Sequence, residues 1–83
     1  MAYIVRIKPS AEKELKKLPK KDYYRIISAI VAISGNPFAG KKLEGEYRGC
    51  HSLRIWPYRI IYRIYQKELL VIIIRIGHRQ GVY

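Results

Sequence analysis

The first half of the chain changes from a two-residue to a helical spacing of apolar positions. Residues Tyr3–Lys8 alternate between apolar and polar side chains, which predicts a strand. Ser10 is a good N-cap for a short amphipathic helix that ends at Pro19. A second apolar stripe at helical spacing predicts a helix over Lys21–Ser34, and Gly35-Asn36-Pro37 ends it. The two helices are expected to form a helical hairpin.

The second half consists of short runs rich in β-branched and aromatic residues. They predict strands over Cys50–Ile55, Tyr58–Tyr65 and Leu69–Ile76, after a loop over Phe38–Arg48. Short links between these strands indicate an antiparallel meander. The expected order is β-α-α-β-β-β, an α+β fold in one domain that spans residues 1–83, with the helical hairpin packed on one sheet face.

Strand alternation divides the meander residues between two faces. The set expected to pack on the helices is apolar: Leu53, Ile55, Tyr58, Ile60, Tyr62, Ile64, Leu70, Ile72, Ile74 and Ile76. The opposite face, expected to be open, carries Arg54, Arg59, Arg63 and Arg75.

The turn lengths predict how these arginines align. A two-residue turn at Trp56-Pro57 places Arg54 opposite Arg59, although Pro57 at that position suits a cis bond or a longer turn. A three-residue turn over 66–68 places Arg59 opposite Arg75. Like charges that face each other destabilise a sheet by up to about 1 kcal/mol per pair. Arg54, Arg59 and Arg75 would then form a row of like charges across three strands. Such a row favours an anionic ligand over the alternative, a solvated basic surface. Guanidinium groups in particular favour phosphate.

The overall charge of the chain also indicates an anionic partner. Seventeen Lys and Arg against six Asp and Glu give a net charge of +11, which favours nucleic acid, an acidic protein or an anionic membrane surface as partner. The N-terminus lacks the apolar stretch of a signal peptide, and Leu69–Ile74 is too short to cross a bilayer. A cytoplasmic protein is expected.

Candidates for other chemistry are few. Cys50 is the single cysteine and is interpreted as a buried apolar residue, so neither an internal disulfide nor a cysteine-rich zinc site is expected. His51 and His78 are the only histidines, and we expect no metal and no cofactor. Trp56, Tyr65 and Tyr83 could stack on bases. Packing is the ordinary role of such side chains, but Tyr83, which follows Gly81 at the end of the sequence, is not expected in the core.

Three segments resemble the RelE/ParE toxin superfamily. Lys42-Leu43-Glu44-Gly45 is similar to its K-L-x-G loop, and Tyr58-Arg59-Ile60-Ile61-Tyr62 is similar to its Y-R-I/L-x-Y strand. Gly77-His78-Arg79 followed by Val82-Tyr83 is similar to its ending. The resemblance extends over nearly the whole chain and includes the order of elements.

The resemblance implies a curved antiparallel sheet and, for RelE-like members, metal-independent endonuclease cleavage of messenger RNA on the ribosome. It implies catalytic roles for Arg59, Arg79 and Tyr83, with Arg54 assisting. Arg54 stands where these toxins carry a lysine, and Ser52 stands where a second lysine is often found, which puts proton transfer in doubt. The remaining substrate contacts are expected from Arg75, Arg63, Lys42, His78 and Trp56.

Several questions stay open at the level of sequence. The general base is unassigned, with His78 and Glu46 as candidates. An acidic, RelB-like antitoxin is the expected protein partner. The alternatives to RNA cleavage are a ParE-like inhibitor of DNA gyrase and a non-catalytic module that binds nucleic acid.

Overall fold

The computed structural model describes residues 2–78, in which two helices pack against a five-stranded sheet. The helices are α1 (Pro9–Lys16) and α2 (Lys20–Gly35). The strands are β1 (Ile4–Ile7), β2 (Lys41–Lys42), β3 (His51–Ile55), β4 (Tyr58–Tyr65) and β5 (Leu70–His78). Two 3-10 turns, Pro37–Ala39 and Gly45–Tyr47, flank β2 inside the segment that was predicted to be a loop.

The sheet order is β1-β5-β4-β3-β2. The antiparallel meander of β3, β4 and β5 is confirmed. The prediction of a wholly antiparallel sheet is wrong, because β1 pairs with β5 in parallel, from Ile4 opposite Leu70 to Ile7 opposite Ile73. Along the chain the two helices connect β1 with β2 at the opposite edge of the sheet, and the meander then places β5 beside β1.

Helix α1 starts two residues earlier than a Ser10 N-cap implies. It begins at Pro9 with Lys8 at the N-cap, and no side chain caps it, so the assignment of Ser10 as N-cap is wrong. A proline fits the first helical position because its missing N–H has no intrahelical partner there. Helix α2 ends as predicted before Pro37, and the Asn36 N–H donates to the carbonyl oxygen of Ala32 at 3.0 Å.

The main core lies between the helices and one face of the sheet. Helix α1 contributes Ala11 and Leu15. The other buried members are Ile26, Ala29, Ile30 and Ile33 from α2, and Tyr58, Ile60, Tyr62, Val71, Ile73 and Ile76 from the sheet.

Strand β5 turns different residues toward this core than predicted. The turn before it has four residues, Gln66–Leu69, so Val71 and Ile73 face the helices. The inward assignment of Leu70, Ile72 and Ile74 is therefore wrong. Tyr62 pairs with Ile73 whereas Ile61 pairs with Arg75, which leaves Ile74 as the extra residue of a β-bulge. The bulge restores the predicted positions at the end of the strand, with Ile76 in the core and Arg75 on the opposite face.

Candidate nucleic-acid interface on the arginine face

Two arginines lie side by side on the sheet face opposite the helices, called here the arginine face. Arg54 on β3 is directly opposite Arg59 on β4, as predicted. Directly opposed residues have Cβ atoms about 5 Å apart. The link between the strands has two residues, Trp56 and Pro57, and their peptide bond is cis.

Helix α2 holds the end of this hairpin. The Tyr58 hydroxyl donates to Asp22 Oδ2 at 2.6 Å, and Arg25 Nη2 donates to the carbonyl oxygen of Trp56 at 2.8 Å. Asp22 and Arg25 also form an ion pair at 3.5 Å. Because Tyr58 is adjacent to Arg59 in β4, these bonds fix the backbone from which the arginine pair projects.

A cleft of about 330 Å³ opens beside the arginine pair. Among residues 2–78, its lining contains three cationic side chains and no carboxylate: Ala39, Gly40, Lys41, Ser52, Leu53, Arg54 and Arg59. Burial, and secondly the positive charge of Arg54, lower the pKa of Arg59. Both causes penalise the charged form of the Arg59 guanidinium, so an anion that enters the cleft is favoured electrostatically.

The third cation of the cleft, Lys41, was not among the residues selected from the sequence. Lys41 is directly opposite Ser52, so its side chain lies on the arginine face. Gly40 allows the chain before Lys41 to pack closely against β3 and Tyr62. A Cβ at Gly40 would lie 2.7 Å from the Ser52 carbonyl oxygen and would contact the hydroxyl of Tyr62. The only sequence feature that could have indicated this position of Lys41 was its neighbour Gly40, inside a segment predicted to be a loop.

Arg75 does not extend the arginine pair into a row. It is opposite Ile61, and Arg59 is opposite Gly77, so the predicted alignment of Arg59 with Arg75 is wrong. The charge of Arg75 is also compensated, since its Nη2 and Nε donate to Glu14 Oε2 at 2.9 and 3.3 Å. This hydrogen bonding raises the pKa of Arg75.

The fourth arginine is distant from the pair. Arg63 lies four residues beyond Arg59 on β4, which corresponds to about 13 Å along a strand. Its guanidinium carbon is 5.7 Å from the centre of the Tyr65 ring. A small apolar cluster separates the two sites and covers part of the face that was expected to be open: Leu43, Tyr47, Cys50, Ile61 and Ile74.

Cys50 has the predicted character. It is buried immediately before β3, and burial raises the pKa of its thiol. Its neighbour His51 is buried on the helix side, where it stacks on Tyr62 with ring centres 5.9 Å apart. Burial, followed by the charge of Lys42, lowers the pKa of His51.

The other residues selected from the sequence for catalysis or substrate binding lie at separate places in the chain. His78 is opposite Tyr58, on the helix side of the sheet, with the two ring centres 5.7 Å apart. Trp56 is exposed in the hairpin turn next to Arg54 and Arg59. Lys42 lines a separate cavity of about 410 Å³ together with Arg48. Arg79 and Tyr83 lie outside the described residues.

Residues 2–78 contain neither a cluster of metal ligands nor a membrane-spanning helix. No three His, Cys, Asp or Glu side chains of this range come together in a way that could hold a metal ion. In the same range, neither helix combines the length and the apolar character needed to cross a bilayer.

The fold and the sequence are similar to known toxins. Residues 5–83 match the family described as ParE toxin of type II toxin-antitoxin system, parDE. The chain is 37% identical to Toxin RelG of Mycobacterium tuberculosis, over 100% of this chain and 98% of that protein. It is 32% identical to Toxin RelE of the same organism, over 98% and 86%.

Comparison with solved structures also shows a similarity to known toxins. The fold matches a chain of the toxin–antitoxin complex RelBE2 from M. tuberculosis with a TM-score of 0.87 and 34% identity, over 95% of this chain and 100% of that one. It matches a chain of the archaeal RelE–RelB complex from Pyrococcus horikoshii with a TM-score of 0.82 and 28% identity, over the full length of both. A layer of helices packed on one sheet is thus the fold of a known class of toxin. This chain belongs to the RelE/ParE family of type II toxin–antitoxin toxins.

Proposed function

We propose that this toxin cleaves messenger RNA bound to the ribosome and that an acidic, RelB-like antitoxin holds it inactive. The observation that carries the proposal is the opposed pair Arg54 and Arg59 beside a cleft to which the described part of the chain contributes Lys41 as a further cation and no carboxylate. Two adjacent guanidinium groups are costly for a sheet, and a phosphodiester would offset that cost.

The proposed reaction is a transesterification that needs no metal. The ribose 2′-oxygen bonds to the adjacent phosphorus, and the bond from phosphorus to the 5′-oxygen breaks. Negative charge accumulates on the phosphoryl oxygens in the transition state. Arg59, supported by Arg54, stabilises that charge from a preorganised position. The resemblance adds Arg79 as a further phosphate ligand and Tyr83 as the aromatic side chain near the reacting nucleotide.

Other cations are proposed to hold the RNA away from the reacting phosphate. Arg63 is about 13 Å from Arg59 along β4 and suits a neighbouring phosphate. Trp56 is exposed in the hairpin turn near the arginine pair, whereas Lys42 would contact RNA from the separate cavity that it lines with Arg48. Arg75 has its charge compensated by Glu14, so its proposed contribution is mainly to the shape of the face.

The proposed antitoxin is inferred from charge and from the relatives. The net charge of +11 favours an acidic partner. Two of the matched structures are toxin–antitoxin complexes. An acidic segment laid over the arginine face would compete with RNA for the same guanidinium groups.

Toeprinting of a translated message tests the proposal. Wild-type toxin should produce new 3′ ends inside ribosome-bound codons, and Arg59→Ala and Arg79→Ala should lose them. Far-UV circular dichroism and antitoxin binding show whether the variants remain folded. Intact messages with the wild-type toxin, or undiminished growth inhibition by folded Arg79→Ala, would contradict the proposed chemistry.

Inhibition of DNA gyrase is the second candidate, because the matching family model is that of ParE toxins. A gyrase inhibitor leaves transcripts intact. The same toeprinting reactions, run beside a supercoiling assay with purified gyrase, therefore separate the two functions.

A further inference from the structure

The cleft beside the arginine pair contains one described side chain that can release a proton as part of its ordinary chemistry. Guanidinium groups such as those of Arg54 and Arg59 stay protonated. The remaining lining residues are apolar, glycine or serine, apart from Lys41. An ammonium group can donate a proton to a leaving oxygen and regain it from water.

The register places Lys41 within reach of the phosphate that the arginines would hold. Lys41 is directly opposite Ser52, and Arg54 follows two residues later on the same face of β3. Such diagonal neighbours have Cβ atoms about 7 Å apart. Because lysine and arginine side chains are both long, their charged groups can converge on one phosphate.

Lys41 is also available for this role. It is exposed, and the ion pairs found within residues 2–78 involve other cations: Lys16 with Glu12, Arg25 with Asp22, and Arg75 with Glu14. The histidine proposed for proton transfer, His78, shares the helix side of the sheet with Tyr58. Lys41 therefore lies on the side of the sheet where the reaction is proposed, whereas His78 does not.

We propose that Lys41 is the catalytic acid that protonates the leaving 5′-oxygen, an inference that rests on the proposed RNA cleavage. The 2′-oxygen bonds to phosphorus and its proton passes to water. The bond from phosphorus to the 5′-oxygen breaks, and its electron pair stays on that oxygen. The oxygen takes a proton from the Lys41 ammonium, which leaves a 2′,3′-cyclic phosphate and a 5′-hydroxyl. The neutral amine then takes a proton from water.

A substrate with sulfur in place of the 5′-bridging oxygen tests this role, because a thiolate leaves without protonation. Ribosomes are programmed with messages that carry either linkage at the cleaved position, and single-turnover rates are measured for the wild type and Lys41→Arg. Lys41→Arg keeps the positive charge but should lower the rate on the oxygen linkage by about 100-fold or more. On the sulfur linkage, the variant should cleave at close to the wild-type rate.

Lys67→Ala is the matched control, since Lys67 is exposed in the turn at the other end of β4 and its removal should change neither rate. Equal losses on both linkages would overturn the proton-donor role and assign Lys41 to phosphate binding or to folding. An undiminished rate on the oxygen linkage would also overturn it. Failure of the wild type to cut either message would instead overturn the proposed function, and the two failures are thus distinguishable.

Discussion

Glu14 on α1 accepts a backbone hydrogen bond from the edge of β5 and compensates the charge of Arg75. One carboxylate oxygen accepts from the Ile76 N–H at 3.0 Å, and the other accepts from the Arg75 guanidinium at 2.9 Å. Strand β1 ends opposite Ile73, and no other strand within residues 2–78 pairs with that edge of β5 beyond Ile73. The Glu14 side chain accepts the hydrogen bond that a neighbouring strand would otherwise accept there. Arg75 Nη1 also donates to the Tyr47 hydroxyl at 3.3 Å, which joins the second 3-10 turn to the sheet.

Removal of this carboxylate should destabilise the fold. Glu14→Ala leaves the Ile76 N–H and the Arg75 guanidinium without their acceptor, which should lower the free energy of unfolding by about 2 kcal/mol. Urea denaturation followed by circular dichroism measures the change. Glu12→Ala is the matched control: it loses an exposed pair with Lys16, worth about 0.5 kcal/mol or less. Equal effects of the two substitutions would show that Glu14 does not support β5.

The two arginines of β4 should affect different kinetic constants. Arg59→Ala should lower kcat by about 100-fold or more, because it removes a charge proposed to act in the transition state. Arg63→Ala should mainly raise KM and flatten the dependence of binding on salt, since it removes a distant phosphate contact. Cleavage of ribosome-bound message over a range of concentrations separates the constants. A large fall in kcat for Arg63→Ala would contradict the proposed division.

Gly40→Ala should disturb both the fold and the cleft. The added Cβ would lie 2.7 Å from the Ser52 carbonyl oxygen and would meet the Tyr62 hydroxyl, which donates to Pro37 at 2.7 Å. We expect a loss of about 1 to 3 kcal/mol from such overpacking, measured by thermal or urea unfolding. Gly35→Ala is the control, because nothing lies within 4 Å of its added Cβ. A neutral Gly40→Ala would mean that β2 is not held at this distance.

Stability should fall as the solution becomes mildly acidic, because of His51. The pKa of His51 is lowered in the folded state by burial and by Lys42. The unfolded chain therefore binds a proton more readily, and stability decreases as the pH falls below about 6.5. His51→Phe keeps a ring against Tyr62 and removes this titration. Urea unfolding at pH 7.5 and 5.5 should show a larger loss for the wild type, and equal losses would contradict this cause.

The hairpin of β3 and β4 and its arginine pair could be predicted from the sequence. Strand β4 alternates cleanly, so Tyr58, Ile60 and Tyr62 were assigned to the core side and Arg59 to the other side. The short Trp56-Pro57 link allowed few registers, and the observed one places Arg54 opposite Arg59. Local patterns were sufficient there because each strand has one apolar and one polar face.

Strand β5 and the segment around β2 could not be predicted in the same way. Leu69–Ile74 is apolar at every position, so alternation gives no information about which side is buried. The four-residue turn and the bulge at Ile74 decide it, and both depend on packing between β4, β5 and α1. The placement of Lys41 depends on the contact of Gly40 with Tyr62, a residue far along the chain.

The sequence by itself therefore determined the α+β class, the order of the elements, the cationic character and the identity of the arginine pair. These properties follow from spacing within single segments and from total charge. Only the tertiary structure decided that Glu14 neutralises Arg75, that β1 joins the sheet in parallel, and that Lys41 enters the cleft. Each of these depends on contacts between segments distant in sequence, and such contacts are selected by the packing of the whole chain.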